Sequence, residues 1–316
     1  MSALLSHHLF GRALLARQDN RVFMTRDTRD AFLLGNQGPD PLFFLTRSRA
    51  LVTGKKLASR MHRERIEEYL EMWRDTLERR YFKSYLYDVL QAYIYGFVCH
   101  YYLDRAVHPL VVALAEALCA AGISGLTAKD VPFVHAQIEA DLDIYMLYKL
   151  TGRTLDEYSI PKQMLYSSDE ALSSIDTLYL AAAEFYDIKV PRHLFSQAVK
   201  DMRLAQRLLY SPGGTKRKII GRAERLVRPH SLLQAMSHNP DAREAVWYAN
   251  EQKASWRHPK TGVFSNQSIL EIFEEALDGA EAGKELLQSG APLIEITQGL
   301  DFFGNATQPP TQDLMG

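Results

Sequence analysis

Residues 96–109 read GFVCHYYLDRAVHP and contain three metal-competent side chains at intervals of four: His100, Asp104 and His108. Four residues turn an α-helix through about 400°, so each side chain lies one turn above the last on the same face. The apolar residues around them predict a buried helix, in which histidine and aspartate side chains need partners. We therefore expect this face to bind metal, with a central carboxylate that can bridge two ions. An Asp–His hydrogen bond on an exposed polar face is the alternative interpretation.

A second pair with the same spacing, His135 and Glu139, occurs in the stretch FVHAQIEADLD. On its own, such a pair is a weak indication of a metal site. His108, at the end of the first helix, would complete a three-ligand site with room for water. We expect Asp141 and Asp143 to face solvent or to support the ligands from outside.

Three further segments upstream supply candidate ligands. The glycine-rich turn GNQGPD delivers Asp40, whose alternative role is to cap the following segment. His62, within SRMHR, is predicted to begin a long helix, with solvent exposure as its alternative. The adjacent His7 and His8 lie on a first amphipathic helix. Each residue has a structural role as its alternative interpretation, but together they complete a ligand set.

Helical periodicity runs through nearly the whole chain. Apolar residues recur at three- and four-residue spacing in segments such as 63–79, 169–186 and 268–287. There is no convincing alternating strand and no Asn-Gly or Asp-Gly hairpin turn. We predict an all-α, multi-helix bundle formed by a single domain over residues 1–305, followed by a frayed tail at 306–316.

The composition excludes several classes of protein. With 47% hydrophobic and 24% charged residues, the 316-residue chain is neither disordered nor fibrous. A net charge of −1 provides no basic field of the kind expected in a dedicated duplex nucleic-acid binder. The most apolar stretch, 109–126, contains Glu116 and two glycines and falls short of a bilayer span.

The cysteines and the N-terminus bear on the compartment. Cys99 and Cys119 are too few for a disulfide framework or a cysteine-rich zinc module, and we expect both to be buried, inert thiols. No signal peptide is recognised, because the N-terminus has no basic segment and the paired histidines interrupt any apolar one. We therefore expect a cytoplasmic location.

The order of these motifs resembles the zinc-dependent phospholipase C family, which shares its helical fold with the S1/P1-type nucleases. The series is His-Leu-Phe-Gly, Gly-Pro-Asp, a lone histidine, His-x3-Asp-x3-His-Pro and His-x3-Glu, and it spans residues 7–139. The stretch from Trp256 to Ser268 is similar to a C-terminal segment of uncharacterised relatives. The resemblance implies a helical bundle that holds a cluster of three zinc ions.

Carried over to this chain, the resemblance implies two or three Zn²⁺ ions. In secreted relatives the third ion also uses the free amino group and carbonyl of a processed N-terminal tryptophan. This chain has no tryptophan there, and His7 is the substitute that we consider. The implied ligands are Asp40, His62, His100 and Asp104 for the first ion, His108, His135 and Glu139 for the second, and Asp104 with His8 for the third.

The implied activity is zinc-dependent phosphodiester hydrolysis of the phospholipase C type. Metal-activated water would attack the phosphorus of a phospholipid headgroup or a related small phosphodiester, and Asp40 is the candidate to orient or deprotonate that water. Two alternatives stay open: an S1/P1-like nuclease, disfavoured by the net charge, and a non-enzymatic helical protein with structural metals. The basic run over residues 216–228 suggests contact with an anionic membrane, with a solvated face as its alternative. No obligate protein partner is inferred.

Overall fold

The structure of the chain is a computed structural model that describes residues 3–17, 25–46, 48–122, 125–226, 230–241 and 247–307. Within these ranges it consists of thirteen α-helices, short 3₁₀ turns and one two-stranded antiparallel sheet, which confirms the all-α prediction. The elements are α1 (Leu4–Arg17), α2 (Arg26–Gly35), α3 (Ser48–Met61), α4 (Ile66–Tyr81), α5 (Tyr85–Ala120), α6 (Val131–Thr151), α7 (Ile160–Gln163), α8 (Asp169–Phe185), α9 (Leu194–Leu209), α10 (Thr215–Glu224), α11 (Leu232–Met236), β1 (Trp256–Arg257), β2 (Phe264–Ser265), α12 (Ile269–Gln288) and α13 (Leu293–Thr297).

Helix α5, 36 residues long, forms the centre of the fold. Its residues from Val89 to Asp104 are buried almost without interruption, because α1, α2, α4, α6, α8 and α12 all pack against it. A helix that is apolar on every side is typical of such a buried position. The polar side chains in this stretch are therefore held inside the protein. No helix in the described ranges combines the length and the apolar character that crossing a membrane would require.

Helices α2 and α5 cross in backbone contact at a pair of glycines, Gly35 and Gly96. A Cβ atom on Gly35 would lie 2.2 Å from the carbonyl oxygen of Tyr93, and one on Gly96 would lie 2.1 Å from that of Phe32. Only glycine permits an approach this close. The crossing brings the end of α2 to within one helical turn of His100.

The turn that follows α2 is shaped by Gly38. This residue has a φ of +51°, and its amide donates to the carbonyl oxygen of Gly35 at 2.7 Å. A Cβ atom at Gly38 would lie 2.2 Å from the ring of His100, so any larger side chain would displace that imidazole. Asp40 then begins a 3₁₀ segment and is buried. The glycine-rich turn thus delivers a carboxylate to the interior, as predicted.

The sequence predicted that the helix of His100 ends near His108, and this prediction was wrong. Helix α5 continues through Pro109 to Ala120. A proline within a helix leaves the carbonyl group four residues earlier, here that of Arg105, without its helical amide partner. Gly304 packs against this carbonyl, since a Cβ atom there would lie 2.9 Å from its oxygen. The defect in α5 is therefore covered by the C-terminal part of the chain.

The predicted start of α4 was also wrong. His62 does not begin a helix but follows the last residue of α3, Met61. Helix α4 starts only at Ile66, because Arg65 adopts a left-handed conformation with a φ of 52° and interrupts the helical run. The result is a sharp turn that places His62 between the two helices.

The β-hairpin formed by β1 and β2 was not predicted. Trp256 pairs with Ser265 and Arg257 pairs with Phe264. Strands of two residues are too short to show the alternation of apolar and polar side chains by which a strand is recognised in a sequence.

Part of the predicted tail is paired with the preceding residues. Ala306 forms an isolated bridge with Leu300, and the amide of Thr307 donates to the carbonyl oxygen of Gly299 at 2.8 Å. Residues 308–316 lie outside the described ranges. The limits of a single domain at residues 1–305 remain a prediction.

The glycine crossing predicts the effect of adding one methyl group. Gly96→Ala would force α2 away from α5, and we expect the free energy of unfolding to fall by about 1–3 kcal/mol or more. Urea unfolding followed by circular dichroism measures this loss. Gly213→Ala is the matched control, since nothing lies within 4 Å of a Cβ atom at that position. Equal stability of the two variants would contradict the proposed constraint.

Candidate metal centre

The predicted ligand ladder on α5 lies inside the protein. His100, Asp104 and His108 are buried, with at most 6% of each residue exposed. The Nε2 atom of His100 lies 3.3 Å from Oδ2 of Asp104, and the Nδ1 atom of His108 lies 3.8 Å from the same oxygen. Asp104 is therefore flanked on its own helix by two imidazoles, one turn above it and one turn below.

Other elements add further ligand atoms around this ladder. They come from α1, the 3₁₀ segment after α2, the α3–α4 turn and α6. Three groups of three residues each offer nitrogen or oxygen atoms that lie within 4.8 Å of one another. The groups are His7, His100 and Asp104; Asp40, His62 and His100; and His108, His135 and Glu139.

His7, rather than His8, joins the group around Asp104. The Nε2 atom of His7 lies 2.9 Å from Oδ1 of Asp104, and its Nδ1 atom lies 3.2 Å from Nδ1 of His100. Successive residues point about 100° apart on a helix, so only one of two adjacent histidines can face α5. His8 is buried elsewhere, where burial and nearby Arg12 lower its pKa to about 3. Seven of the eight predicted ligands thus fall in these groups.

Backbone carbonyl groups orient three of the histidines. In each ring Nδ1 lies within hydrogen-bond distance of a carbonyl oxygen, which leaves Nε2 directed towards the carboxylates. Metal-binding histidines are held in this way by groups outside the ligand sphere. The pairs are His62 with Ala58 at 2.7 Å, His100 with Asn36 at 3.2 Å, and His108 with Phe302 at 2.8 Å.

The carboxylates of the centre are held ionised. Burial raises the pKa of Asp104, but the positive charge of His108 and a hydrogen bond from His7 outweigh this effect and hold the pKa well below its usual range. Burial also raises the pKa of Asp40, but its contacts with neighbouring imidazoles, foremost the hydrogen bond from His62, lower the pKa overall. Negative charge is thus concentrated at the centre.

The pKa values of two histidines of the centre, His100 and His108, are shifted in opposite directions. Burial lowers the pKa of His100 to about 3, so this imidazole is neutral at physiological pH. Burial also disfavours a charge on His108, but Asp104 and Glu139 outweigh it and raise the pKa to about 9. In the metal-free protein, a proton on His108 therefore offsets part of the negative charge.

These residues fit a divalent cation. The Nε2 atom of His100 is buried and makes no hydrogen bond within the described ranges. The ion pairs of Asp40 and Asp104 with other described residues are all with histidines, so no lysine or arginine neutralises them there. Imidazole nitrogens and carboxylate oxygens are also the ligands that zinc accepts in proteins.

The centre opens onto a cavity at the protein surface. Asp40, Asp104 and His108 form part of its wall, while Ser59 and Arg63 stand at its exposed side. A ligand atom of each group therefore faces a space that a small anionic molecule can enter.

Two adjacent phenylalanines near the C-terminus cover the centre. The ring of Phe302 contacts the rings of His62 and His100 at centroid distances of 4.9 and 5.6 Å. The ring of Phe303 stacks on His108 at 4.6 Å. Sequence analysis missed both residues. The signal in the sequence was a pair of adjacent apolar residues directly after Asp301. The Asp301 side chain turns the chain here, because it accepts from the amides of Phe303 and Asn305 at 2.8 Å.

A sequence model described as zinc-dependent phospholipase C matches residues 6–187, more than half of the chain. The chain is a member of the zinc-dependent phospholipase C family. Comparison with curated proteins and with solved structures gives no match. The matched range contains all eight predicted ligands and His7, whereas Phe302 and Phe303 lie beyond it.

The two aspartates that follow Glu139, Asp141 and Asp143, do not face solvent. Of the two roles considered for them, solvent exposure was therefore wrong. Asp143 is buried and accepts from the amides of Leu5 and Ser6 at 3.0 and 2.7 Å, which secures the first turn of α1. Asp141 is buried as well, with 6% exposed. Asp143 thus supports the centre indirectly, by fixing the helix that carries His7.

Asp104 is the candidate ligand whose loss should affect the centre most. Asp104→Asn removes the carboxylate that lies among four histidines, so we expect zinc content to fall by about one equivalent or more and the melting temperature of zinc-loaded protein to drop. Elemental analysis and calorimetry measure both. Asp141→Asn is the matched control, a buried aspartate of the family-matched region that belongs to no metal group among the described residues. Equal zinc content in the two variants would show that Asp104 is not a ligand.

The raised pKa of His108 predicts proton release on metal binding. Because His108 is protonated at about pH 7.5 and a histidine ligand must be neutral, zinc binding should release about one proton from this residue. The release should disappear above about pH 9, where His108 is already neutral. Titration calorimetry in two buffers of different ionisation enthalpy counts the protons. Release that stays the same on both sides of pH 9 would contradict the assignment.

Proposed function

We propose that the chain is a zinc-dependent phosphodiester hydrolase that acts on phospholipid headgroups. One observation carries this proposal: three ligand groups meet around Asp104 and face one cavity at the protein surface. The family match supports a phospholipase C-type activity, and the open cavity argues against purely structural metal sites, which are closed by protein ligands.

The ligand groups suit two or three zinc ions. When bound, zinc polarises phosphoryl oxygens and acidifies water in such sites. His7, His100 and Asp104 form the group that replaces the predicted contribution of His8. The other two groups are Asp40 with His62 and His100, and His108 with His135 and Glu139.

Asp40 is the residue that we assign to the water nucleophile. Its carboxylate is ionised, borders the cavity, and has Oδ1 3.3 Å from Nε2 of His62. An ionised carboxylate at this place can accept a hydrogen bond from water, align it towards phosphorus and take up its proton. His62, in turn, is fixed by the carbonyl of Ala58, so the pair is held in one orientation.

The cavity favours a single phosphodiester over an extended polymer. Phe43 and Phe303 form aromatic walls of this cavity. An extended nucleic acid needs a positive groove that contacts several successive phosphates, and the net charge of −1 gives little basis for one. A lipid headgroup needs one phosphate at the metal ligands and a shaped pocket beside it.

We further propose that α10 approaches an anionic membrane. Lys216, Lys218 and Arg222 are exposed on this helix, and Ile219 among them is 60% exposed. Cations interspersed with an apolar side chain suit a negatively charged lipid surface. Arg228, the last residue of the predicted basic run, lies outside the described ranges.

We retain the cytoplasm as the proposed location. Cys99 and Cys119 are both buried free thiols, which suits a reducing compartment.

Substrate preference is tested on three compounds with zinc-loaded protein. We expect zinc-dependent turnover of a small chromogenic phosphodiester, faster turnover of a phospholipid, and slower turnover of single-stranded DNA. Phospholipid in vesicles that contain anionic lipid should be hydrolysed faster than in neutral vesicles, and added salt should reduce the difference. His100→Ala is the blank.

The other outcomes would replace the proposal. Rapid cleavage of single-stranded DNA without activity on lipid would assign the chain to the nucleases. Bound zinc without turnover of any of the three would indicate a non-enzymatic protein.

A further inference from the structure

The mouth of the metal cavity carries one strong cation, Arg63. It is exposed, and it is the only lysine or arginine among the described residues that line this cavity. The two neighbouring arginines have carboxylate partners: Arg60 pairs with Glu64 at 2.7 Å and Arg65 pairs with Glu68 at 3.1 Å. Arg63 forms no ion pair with any described residue, so its guanidinium is available to a ligand.

The guanidinium of Arg63 lies over an aromatic ring that also contacts the metal centre. Its Cζ atom lies 4.9 Å from the centre of the Phe303 ring. On the same ring the imidazole of His108 is stacked, with a centroid distance of 4.6 Å and an interplanar angle of 24°. A cation held over an aromatic face loses less freedom when it binds a ligand than a free side chain would. The stack therefore links Arg63 to the metal ligands through Phe303.

The helix before Arg63 is also cationic. Between Ser48 and Arg63 the sequence contains five basic residues and no acidic one. Lys55 and Lys56 are exposed, and Ser59, one turn further on, borders the cavity. Lys55 lies four residues before Ser59 and Lys56 lies three before it, so these two side chains flank the face of α3 that leads to the cavity. An anion that approaches along this face meets positive charge up to the cavity mouth.

We propose that Arg63 binds the phosphate of the substrate at the metal centre and selects for an anionic, phosphate-bearing ligand; this inference rests on the proposed phosphodiester hydrolysis. A guanidinium donates two parallel hydrogen bonds to the non-bridging oxygens of a phosphate, a geometry that lysine does not reproduce. Arg63 binds from the open side of the cavity, opposite the buried ligands. Free inorganic phosphate presents the same oxygens and is therefore the probe for the site.

The test measures phosphate binding to full-length, zinc-loaded protein by titration calorimetry. We expect Arg63→Gln to weaken the affinity for inorganic phosphate by about 10- to 100-fold, with zinc content and melting temperature unchanged. Arg63→Lys should recover only part of the loss, because it restores charge without the paired donors. Arg79→Gln is the matched control, since Arg79 is highly exposed, pairs with Asp75 and does not line the cavity. It should bind phosphate as the unaltered chain does.

A second readout separates this inference from the proposed function. On a small chromogenic phosphodiester, Arg63→Gln should raise KM and lower kcat/KM, in the same order as the phosphate affinities. Hydrolysis that is intact in Arg63→Gln, with phosphate affinity within about twofold, would overturn the inference and leave the proposed function standing. Phosphate binding that depends on Arg63 without any turnover would retain the inference and refute the hydrolase. Loss of zinc or a lower melting temperature in Arg63→Gln would make Arg63 a structural support for Phe303 and overturn the inference.

Discussion

The backbone contact between Gly35 and Gly96 is the constraint on which the metal centre depends. Because no side chain separates α2 from α5, the turn that leaves α2 lies directly against the next turn of α5, where His100 begins the ligand ladder. Gly38 continues the same principle, since only a residue without a Cβ atom leaves space for the imidazole. Asp40 thereby reaches the interior two residues later. Three glycines thus allow the close approach that brings Asp40 and His100 together.

Once the carboxylates are buried, their charge determines the rest of the site. Asp40 and Asp104 are surrounded by imidazoles instead of lysine or arginine side chains in the described part of the chain. Imidazole can offset the charge only by taking a proton, as His108 does when its pKa rises to about 9. A metal ion can take over this role, since it supplies more positive charge and needs the same imidazoles in their neutral form. Metal binding at this arrangement would therefore release protons.

The sequence predicts those parts of the site that local periodicity determines. His100, Asp104 and His108 share a helix, so their spacing fixes their common face before any tertiary contact is known. Periodicity could not separate His7 from His8, because the choice depends on how α1 rotates against α5. Nor could periodicity place Phe302, because the residue that its ring contacts, His62, lies 240 positions earlier in the sequence. The continuation of α5 past Pro109 was equally hidden, because proline is typical of a helix end and the residue that packs against the defect, Gly304, is distant in the sequence.

The rotation of α1 is itself fixed from a distance. Asp143 of α6 accepts from the amide of Leu5 at Oδ2 and from the amide and hydroxyl of Ser6 at Oδ1, and Nε2 of His238 lies 2.9 Å from Oδ2. These bonds satisfy backbone donors that the first turn of a helix leaves unpaired. They also orient α1 so that the next residue, His7, meets Asp104. In the group of His7, His100 and Asp104, the histidine from α1 is therefore held in place by the bonds between α1 and α6.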